Sequence, residues 1–287
     1  MKHTRRRSFQ EGAMKIVFLM TACVSILAVV LICIFLFASG IPTMREIGFG
    51  NFLFGTTWSP SRNLYGIFPM IVASIIVTAG AILIGVPAGL LCAIFLARFC
   101  PTKLYRILKP ASELLAGIPS IVYGFFGLVV IVPFMQTLLG GSGKNIITAS
   151  VMLGIMILPT IINVSESAIR AVPEGYYEGS LALGATHERS VFSAVVPAAK
   201  SGVLAGVILG IGRAIGETMA VVMIAGNQTI LPNSLLSGVR TLTANIVLEM
   251  GYATDLHREA LIACGVVLFV FILIINLCFS ALKRRGE

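Results

Sequence analysis

Residues 201–225 read SGVLAGVILGIGRAIGETMAVVMIA, a run without charge except at Arg213 and Glu217. About 20 apolar residues of helix are enough to cross the hydrocarbon core of a bilayer. Charged side chains inside such a run are unfavourable unless they face protein or a water-filled path. We therefore expect a membrane span here, with Arg213 and Glu217 turned toward protein or water.

The composition of the whole chain agrees with a membrane protein. Of its 287 residues, 57% are hydrophobic and 11% are charged, whereas soluble domains carry about 45–50% apolar and about 25% charged residues. The charged side chains are too few to coat a soluble surface, and the composition also excludes a disordered chain or a disulfide-rich scaffold. We assign the net charge of +9 to the flanks of membrane helices rather than to nucleic-acid binding.

Further apolar runs predict an all-α integral membrane protein with six transmembrane helices. The first run follows a basic tail, residues 1–15, but it is too long for the apolar core of a signal peptide, which takes about 7–15 residues, so we expect an uncleaved span. A single transmembrane domain, 16–285, then has spans at approximately 16–41, 67–97, 118–139, 146–164, 200–225 and 260–282, with a long loop at 166–199.

The distribution of Lys and Arg predicts the orientation in the membrane. With six spans, the two termini share one side with the loops at 98–113 and 166–200, and that side holds fifteen basic residues against five on the other. Because Lys and Arg are enriched in cytoplasmic loops, we expect both termini and the 166–199 loop in the cytoplasm. The loops at 45–62 and 226–258 would then lie outside.

Catalytic and metal-binding motifs are absent from the sequence. The nearest phosphate-loop pattern, Gly141–Asn145, lacks the first glycine and the Ser/Thr that such a loop needs. Gly210–Gly216 misses the dinucleotide-binding spacing and follows no predicted strand. The three histidines are scattered, and none of the six cysteines forms a CxxC pair. We expect no catalytic residue, no metal site and no cofactor, so the chain is not predicted to be an enzyme.

The 166–199 loop carries its own helix signals. Pro173 suits the first position of a helix and Glu174 suits its first turn. Gly184 should end that helix, and a second short helix should lead to Pro197. A unit of this kind is either a hairpin on the membrane surface or a docking element for a cytoplasmic protein, and the loop residues alone do not separate the two.

Two motifs resemble one family of membrane proteins. The loop reads Glu178-Gly-Ser, then Gly184 and, after nine residues, Ala-x-Val-Pro197, which is similar to the EAA loop of ABC-importer permeases. Residues 212–227, GRAIGETMAVVMIAGN, and 58–69, WSPSRNLYGIFP, resemble the PstC-type permease of the ABC phosphate importer. The resemblance extends over nearly the whole chain.

This resemblance implies a type I, MetI-like permease fold with a cytoplasmic coupling helix, in the plasma (inner) membrane of a bacterium. It implies a heterodimer with a sister (PstA-like) permease that lines a path for inorganic phosphate. A separate ATPase dimer (PstB-like) would hydrolyse ATP, and an extracytoplasmic phosphate-binding protein (PstS-like) would deliver phosphate. In that family the EAA loop sits in a groove of the ATPase, so the implied coupling residues are Glu178, Gly179, Ser180 and Gly184.

Arg213 and Glu217 are the candidate residues of the substrate path. Four positions apart in a helix, they would share one face, about 6 Å apart along the axis. A guanidinium fork matches phosphate oxygens, and a carboxylate can accept a hydrogen bond from protonated phosphate, which sulfate cannot offer. The simpler interpretation is a salt bridge that holds helices together. The glycine runs at 202–210 and 212–216 likewise predict close helix packing.

Three other functions are compatible with the residues. One is a permease for another oxyanion, such as sulfate or molybdate. Another is an ion-coupled secondary carrier with Glu217 as its proton site, although the sequence has no internal repeat of the kind common in such carriers. The last is a membrane-embedded enzyme, against which the missing catalytic motifs argue.

Overall fold

The structure, a computed structural model, describes the backbone of residues 2–284 and the side chains of residues 14–278 and 281. Several basic residues that contribute to the predicted orientation, in the tail before residue 14 and at 283–285, lie outside the described side chains.

Helices make up most of the described chain. They are α1 (Lys2–Ile47), α2 (Phe49–Phe54), α3 (Phe68–Ile94), α4 (Thr102–Gly117), α5 (Ser120–Phe126), α6 (Val132–Leu139), α7 (Ile146–Arg170), α8 (Glu174–Ala182), α9 (His187–Ser190), α10 (Val196–Ala198), α11 (Lys200–Gly216), α12 (Met219–Ile224), α13 (Leu242–Met250) and α14 (Asp255–Arg284). Three π-helical segments, Phe95–Phe99, Gly127–Ile131 and Val191–Val195, extend or join these helices. A small antiparallel hairpin pairs β1 (Trp58–Ser59) with β2 (Leu64–Tyr65) across the 3₁₀ turn Pro60–Arg62.

Five helical segments of the described chain are long and apolar enough to cross a membrane. They are Met14–Ile47, Phe68–Phe99, Ser120–Leu139, Ile146–Arg170 and Asp255–Cys278. A sixth candidate is the pair His187–Ala198 and Lys200–Gly216, which are bent by 72° relative to each other. The predicted all-α membrane fold is confirmed.

The long helices run between two ends of the molecule. Near the start of α3, Oγ of Ser74 accepts a hydrogen bond from the backbone N–H of Leu242 on α13, at 3.0 Å. Just past the end of α3, Arg98 forms a 3.0 Å salt bridge with Glu174 on α8. We call the first the hairpin end, because it also holds β1 and β2, and the second the α8 end.

Glycines let α3 and α11 pack closely against α7 in the middle of the bundle. A Cβ atom on Gly85 of α3 would lie 2.7 Å from Cδ1 of Ile157, and one on Gly206 of α11 would lie 2.8 Å from Oγ of Ser165. Real Cβ atoms do not approach so closely, so these contacts depend on glycine. The close packing expected for the 202–210 run is therefore confirmed.

The apolar run at 200–225 is not one helix, contrary to expectation. α11 ends at Gly216, Glu217 has an extended backbone (φ −67°, ψ 134°), and α12 starts two residues later. The carboxylate of Glu217 accepts hydrogen bonds from the backbone N–H groups of Thr218, at 3.1 Å, and Ala220, at 3.3 Å. A side-chain acceptor at this position offers the backbone an alternative to helical hydrogen bonds and caps the helix that follows.

Candidate functional site

Arg213 lies in the last turn of α11 and is partly exposed. Its Nη1 atom donates a hydrogen bond to Oγ1 of Thr160 on α7, at 3.3 Å. No carboxylate among the described side chains forms a salt bridge with it. A guanidinium group has five N–H donors, so one hydroxyl partner leaves others for an anion.

Glu217 is buried, with 9% of its surface exposed, but it does not pair with Arg213. Its carboxylate lies at the N-terminus of α12, where the helix dipole favours negative charge, and its carbonyl accepts a 2.9 Å hydrogen bond from Oγ1 of Thr243. The expectation that the two charged residues share one helical face was wrong, because the helix ends before Glu217. The salt-bridge interpretation therefore has no support in the described residues.

The glycines on either side of Arg213 face open space. A Cβ atom on Gly212 or Gly216 would meet no atom within 4 Å, whereas the glycines of the 202–210 run press against α7. The second glycine run was also expected to pack closely, and no described residue of this chain packs against it. α11 therefore has a packed face toward α7 and an open face beside Arg213.

A second helix break lies against the first. α4 ends at Gly117 and α5 begins at Ser120. α5 packs tightly on α12, because a Cβ atom on Gly124 would lie 2.8 Å from Cα of Ala220. Two interrupted helices thus meet close to Glu217. Discontinuous helices with irregular backbone at membrane depth occur where the backbone is buried in protein or lines a cavity.

The side chains around these breaks suit an oxyanion. Arg213 supplies charged N–H donors, Thr160 supplies a hydroxyl group, and the open face of α11 gives access. No group of three His, Cys, Asp or Glu side chains that could hold a metal ion occurs in the part of the chain that the structure describes. The groups at the two breaks can bind an anion by charge and hydrogen bonds.

α8 presents the predicted coupling residues on an exposed helix. None of its residues is buried; Glu178 and Gly179 are exposed and Ser180 is half-buried. Gly184 follows the helix with φ +85°, in the left-handed region that favours glycine. Leu183, just before it, is 91% exposed. The structure has the helix and the glycine stop that the sequence predicts, and it adds an apolar side chain that contacts little of this chain.

α8 is also anchored to the end of α3. Besides the Arg98–Glu174 salt bridge, the hydroxyl group of Tyr177 lies 2.7 Å from Nδ1 of His187. The ring of His187 packs edge-to-face on Phe99, with 4.8 Å between ring centroids. α8 is therefore tied to the bundle through Glu174 and Tyr177, while Glu178 and the neighbouring Leu183 stay exposed.

Sequence reasoning missed a buried charged cluster at the α8 end. Glu166 on α7 is 1% exposed. It accepts hydrogen bonds from Tyr105 and Lys109 of α4, both at 3.0 Å, and pairs with Arg170 one turn further along α7. The signal that could have found it is the i, i+4 spacing of Glu166 and Arg170 at the end of an apolar run. Tyr105 and Lys109 on α4 are too far from Glu166 in the sequence for any spacing to indicate these contacts.

A second missed cluster surrounds Glu249 at the hairpin end. Its carboxylate accepts hydrogen bonds from Nε1 of Trp58 at 2.9 Å and from Arg240 at 2.5 Å, and it lies 2.8 Å from Nε2 of His257. Burial raises the pKa of the Glu249 carboxyl, but the hydrogen bonds from these three residues lower it by more, so that pKa lies below its usual range. Four separate segments contribute one residue each, so no local spacing could have revealed the cluster.

Known proteins resemble this chain over most of its length. Residues 85–286 match the family model of binding-protein-dependent transport system inner membrane components. A probable ABC transporter permease, YqgH, of Bacillus subtilis is 39% identical over 278 residues, which cover 92% of this chain and 90% of the relative. The phosphate transport system permease protein PstC of Mesorhizobium japonicum is 37% identical over 279 residues, or 89% and 85% of the two chains. PstC of Haemophilus influenzae is 37% identical over 241 residues, or 77% and 76%.

Solved ABC transporters share the fold at low sequence identity. An inward-facing MetNI methionine transporter aligns with a TM-score of 0.63 and 20% identity, over 80% of this chain and 100% of its own. A bacterial alginate transporter, in complex with an alginate-bound periplasmic protein, aligns with a TM-score of 0.60 and 14% identity, over 91% and 93% of the two chains. These structures show the MetI-like permease fold, and with the match over residues 85–286 they establish that the chain belongs to the family of binding-protein-dependent transport system inner membrane components.

Proposed function

We propose that the chain is a permease subunit of an ATP-driven importer of inorganic phosphate. The observation that carries this proposal is its 37% identity with phosphate transport permeases of two bacteria over most of each chain. An arginine beside an open helix face, where two broken helices meet, supports the same substrate class. A planar guanidinium group recognises phosphate better than a point charge does.

In this proposal Arg213 holds the phosphate as it passes the helix breaks. Thr160 orients the guanidinium group from the α7 side, and the open face by Gly212 and Gly216 lets the anion approach. Both backbone hydrogen bonds to the Glu217 carboxylate use Oε1. The other oxygen is then the one to accept a hydrogen bond from protonated phosphate, which gives Glu217 a part in discriminating against sulfate.

α8 is the element that couples the path to ATP hydrolysis. Glu178, Gly179 and the half-buried Ser180 of α8, with Gly184 just after it, would form the docking surface, and an ATPase groove would cover Leu183. The anchored face of α8 passes movement of the ATPase to the ends of α3 and α7 through Arg98 and Tyr177. ATP binding and hydrolysis belong to that separate subunit, present as a dimer.

The remaining partners follow from the two ends of the bundle. The α8 end lies in the cytoplasm with both termini, and the hairpin end faces an extracytoplasmic phosphate-binding protein. The open face of α11 near Arg213 is completed by a sister permease, so that the phosphate path runs between two chains. The chain is a multi-pass protein of the bacterial inner membrane.

The test is uptake of radioactive phosphate into proteoliposomes that contain this chain with its sister permease and ATPase. With the binding protein and phosphate on the hairpin side and ATP on the α8 side, we expect uptake that excess sulfate or molybdate leaves unchanged. Liposomes that lack the ATPase are the control and should take up none.

Other results would replace the proposal. Uptake of sulfate or molybdate in place of phosphate would make the chain a permease for that oxyanion. Phosphate uptake without ATP, driven by a pH difference across the membrane, would make it a secondary carrier.

A further inference from the structure

α13 connects the Glu249 cluster with the helix break at Glu217. At the start of α13, the hydroxyl group of Thr243 donates to the carbonyl of Glu217 at 2.9 Å, and the N–H of Leu242 donates to Ser74 of α3 at 3.0 Å. At its other end, Glu249 holds three donors from other segments. This nine-residue helix is therefore fixed at both ends to different parts of the bundle.

The first turn of α13 covers the break. The run Thr241–Asn245 is buried throughout, and Thr243 lies directly on the backbone of Glu217. α13 also belongs to the hairpin end, where Leu242 packs in the same apolar cluster as Trp58. As long as α13 stays in place, the hydroxyl group of Thr243 occupies the carbonyl of Glu217. The break at Glu217 is then covered by α13 and is not open toward the hairpin end.

The position of α13 depends on one buried carboxylate. Trp58 comes from β1, Arg240 from the segment before α13, and His257 from the start of α14, and all three converge on Glu249. Removing one member of a buried charged group leaves the others uncompensated, so such a cluster tends to hold or release as a unit. Trp58 is buried and the side chain of Arg240 is 16% exposed, but both belong to segments that join membrane-crossing helices at the hairpin end, and a protein that docks there would press on those segments.

The geometry points to α13 as the element that closes the phosphate path at the hairpin end, and to Glu249 as the positioning residue that keeps it closed. This inference rests on the proposed function, because it needs a path at the helix breaks. Docking of the binding protein on the hairpin end shifts Trp58 or Arg240, the Glu249 cluster loosens, and α13 withdraws from Glu217. In the resting complex the intact cluster keeps the path shut and the ATPase slow.

The experiment compares three variants in the reconstituted complex of permeases and ATPase. Glu249→Gln removes the charge that holds the cluster, and Thr243→Val removes the contact with Glu217 while leaving the cluster intact. Glu46→Gln is the matched control, because Glu46 is an exposed carboxylate at the end of α1 on the same side. ATPase activity is measured with and without the binding protein, together with the phosphate carried per ATP hydrolysed.

We expect Glu249→Gln and Thr243→Val to raise the ATPase rate without binding protein by at least about fivefold, the lower end of typical coupling between sites. Phosphate carried per ATP should fall in both variants, and Glu46→Gln should behave like wild type. A purely structural Glu249 would lower the amount of assembled complex without changing these ratios, and that result would overturn the inference.

Two further outcomes are decisive. If Glu249→Gln does not assemble, Thr243→Val decides alone, and a wild-type ATPase ratio in that variant sinks the inference. If the wild-type complex itself fails to import phosphate, the proposed function fails instead.

Discussion

Arg213 has a hydroxyl partner on α7 and no described carboxylate partner, which makes its role testable by substitution. Hydrogen bonds to charged groups contribute about 1.5–3 kcal/mol, so Arg213→Gln should lower phosphate uptake by at least about tenfold. The complex should still assemble, because no buried carboxylate loses a partner. Lys at this position keeps the charge but loses the planar fork, and its uptake should be intermediate at best. The measurement is uptake normalised to assembled complex.

The matched control is Arg258→Gln, since Arg258 is exposed at the hairpin end in the first turns of α14. Its uptake should equal that of wild type. The variant with both Arg213→Gln and Glu217→Gln should rescue nothing, because the two residues form no salt bridge in the described structure. Wild-type uptake in that double variant would show that Arg213 and Glu217 have only a structural role.

At the residue scale, the sequence placed Arg213 and Glu217 in one continuous helix, whereas the structure ends that helix between them. Two charges inside an apolar run indicate a protein-facing or water-facing site, and both do lie at the helix breaks. The shared helical face was wrong because periodicity assumes that the helix continues. A glutamate that accepts hydrogen bonds from the next backbone N–H groups competes with the helix, and no spacing rule announces which glutamate will do so.

Among the elements, α8 depends on one backbone conformation. Gly184 has φ +85°, and a Cβ atom there would meet no other atom within 4 Å. Replacing Gly184 should therefore cost roughly 1–2 kcal/mol in backbone strain, whereas steric crowding should add nothing. We expect Gly184→Ala to loosen the end of α8 and weaken co-purification with the ATPase, while Gly184→Asn, which tolerates this conformation better, is affected less.

Gly175→Ala is the control for this prediction, because Gly175 also faces open space but has helical geometry within α8. It should retain the ATPase fully. Equal ATPase retention in Gly184→Ala, Gly184→Asn and wild type would show that the turn does not shape the docking surface. Gly184→Trp adds bulk to the exposed face and should release the ATPase if that face is the docking surface.

Some contacts of α8 and α7 could not be predicted from the sequence. α8 and its glycine stop follow from local signals at Pro173, Glu174 and Gly184. Its anchoring to Arg98 and the burial of Glu166 against α4 join residues that are distant in the chain. Local signals indicated where α8 starts and stops, whereas pairings between distant charges depend on how the helices finally pack.

For the whole molecule, the apolar runs were sufficient to predict the class of fold. Each run needs about 20 residues to cross a bilayer, and this length requirement is strict because an unpaired backbone group in lipid is very unfavourable. The requirement is weaker where protein surrounds the backbone, and there the sequence did not predict the break at Glu217, although it did place the start of a span close to the break at Gly117–Ser120. The Glu249 cluster could not be predicted from the sequence for a related reason, since its four members come from segments that only the assembled bundle brings together.

The orientation of the whole molecule is the last prediction. Ile146, at the start of α7, donates its N–H to the carbonyl of Ser237 at 3.2 Å, so residues 145 and 230–250 share the hairpin end. α7 then runs to Arg170 at the α8 end. Reporter fusions after Asn145 and within 230–250 should therefore report the outside, and a fusion after Glu178 should report the inside, because fifteen of the basic residues flank the α8 side. An outside signal from the Glu178 fusion would mean that the orientation of the chain is the reverse of the predicted one. α8 would then lie where no cytoplasmic ATPase could bind it.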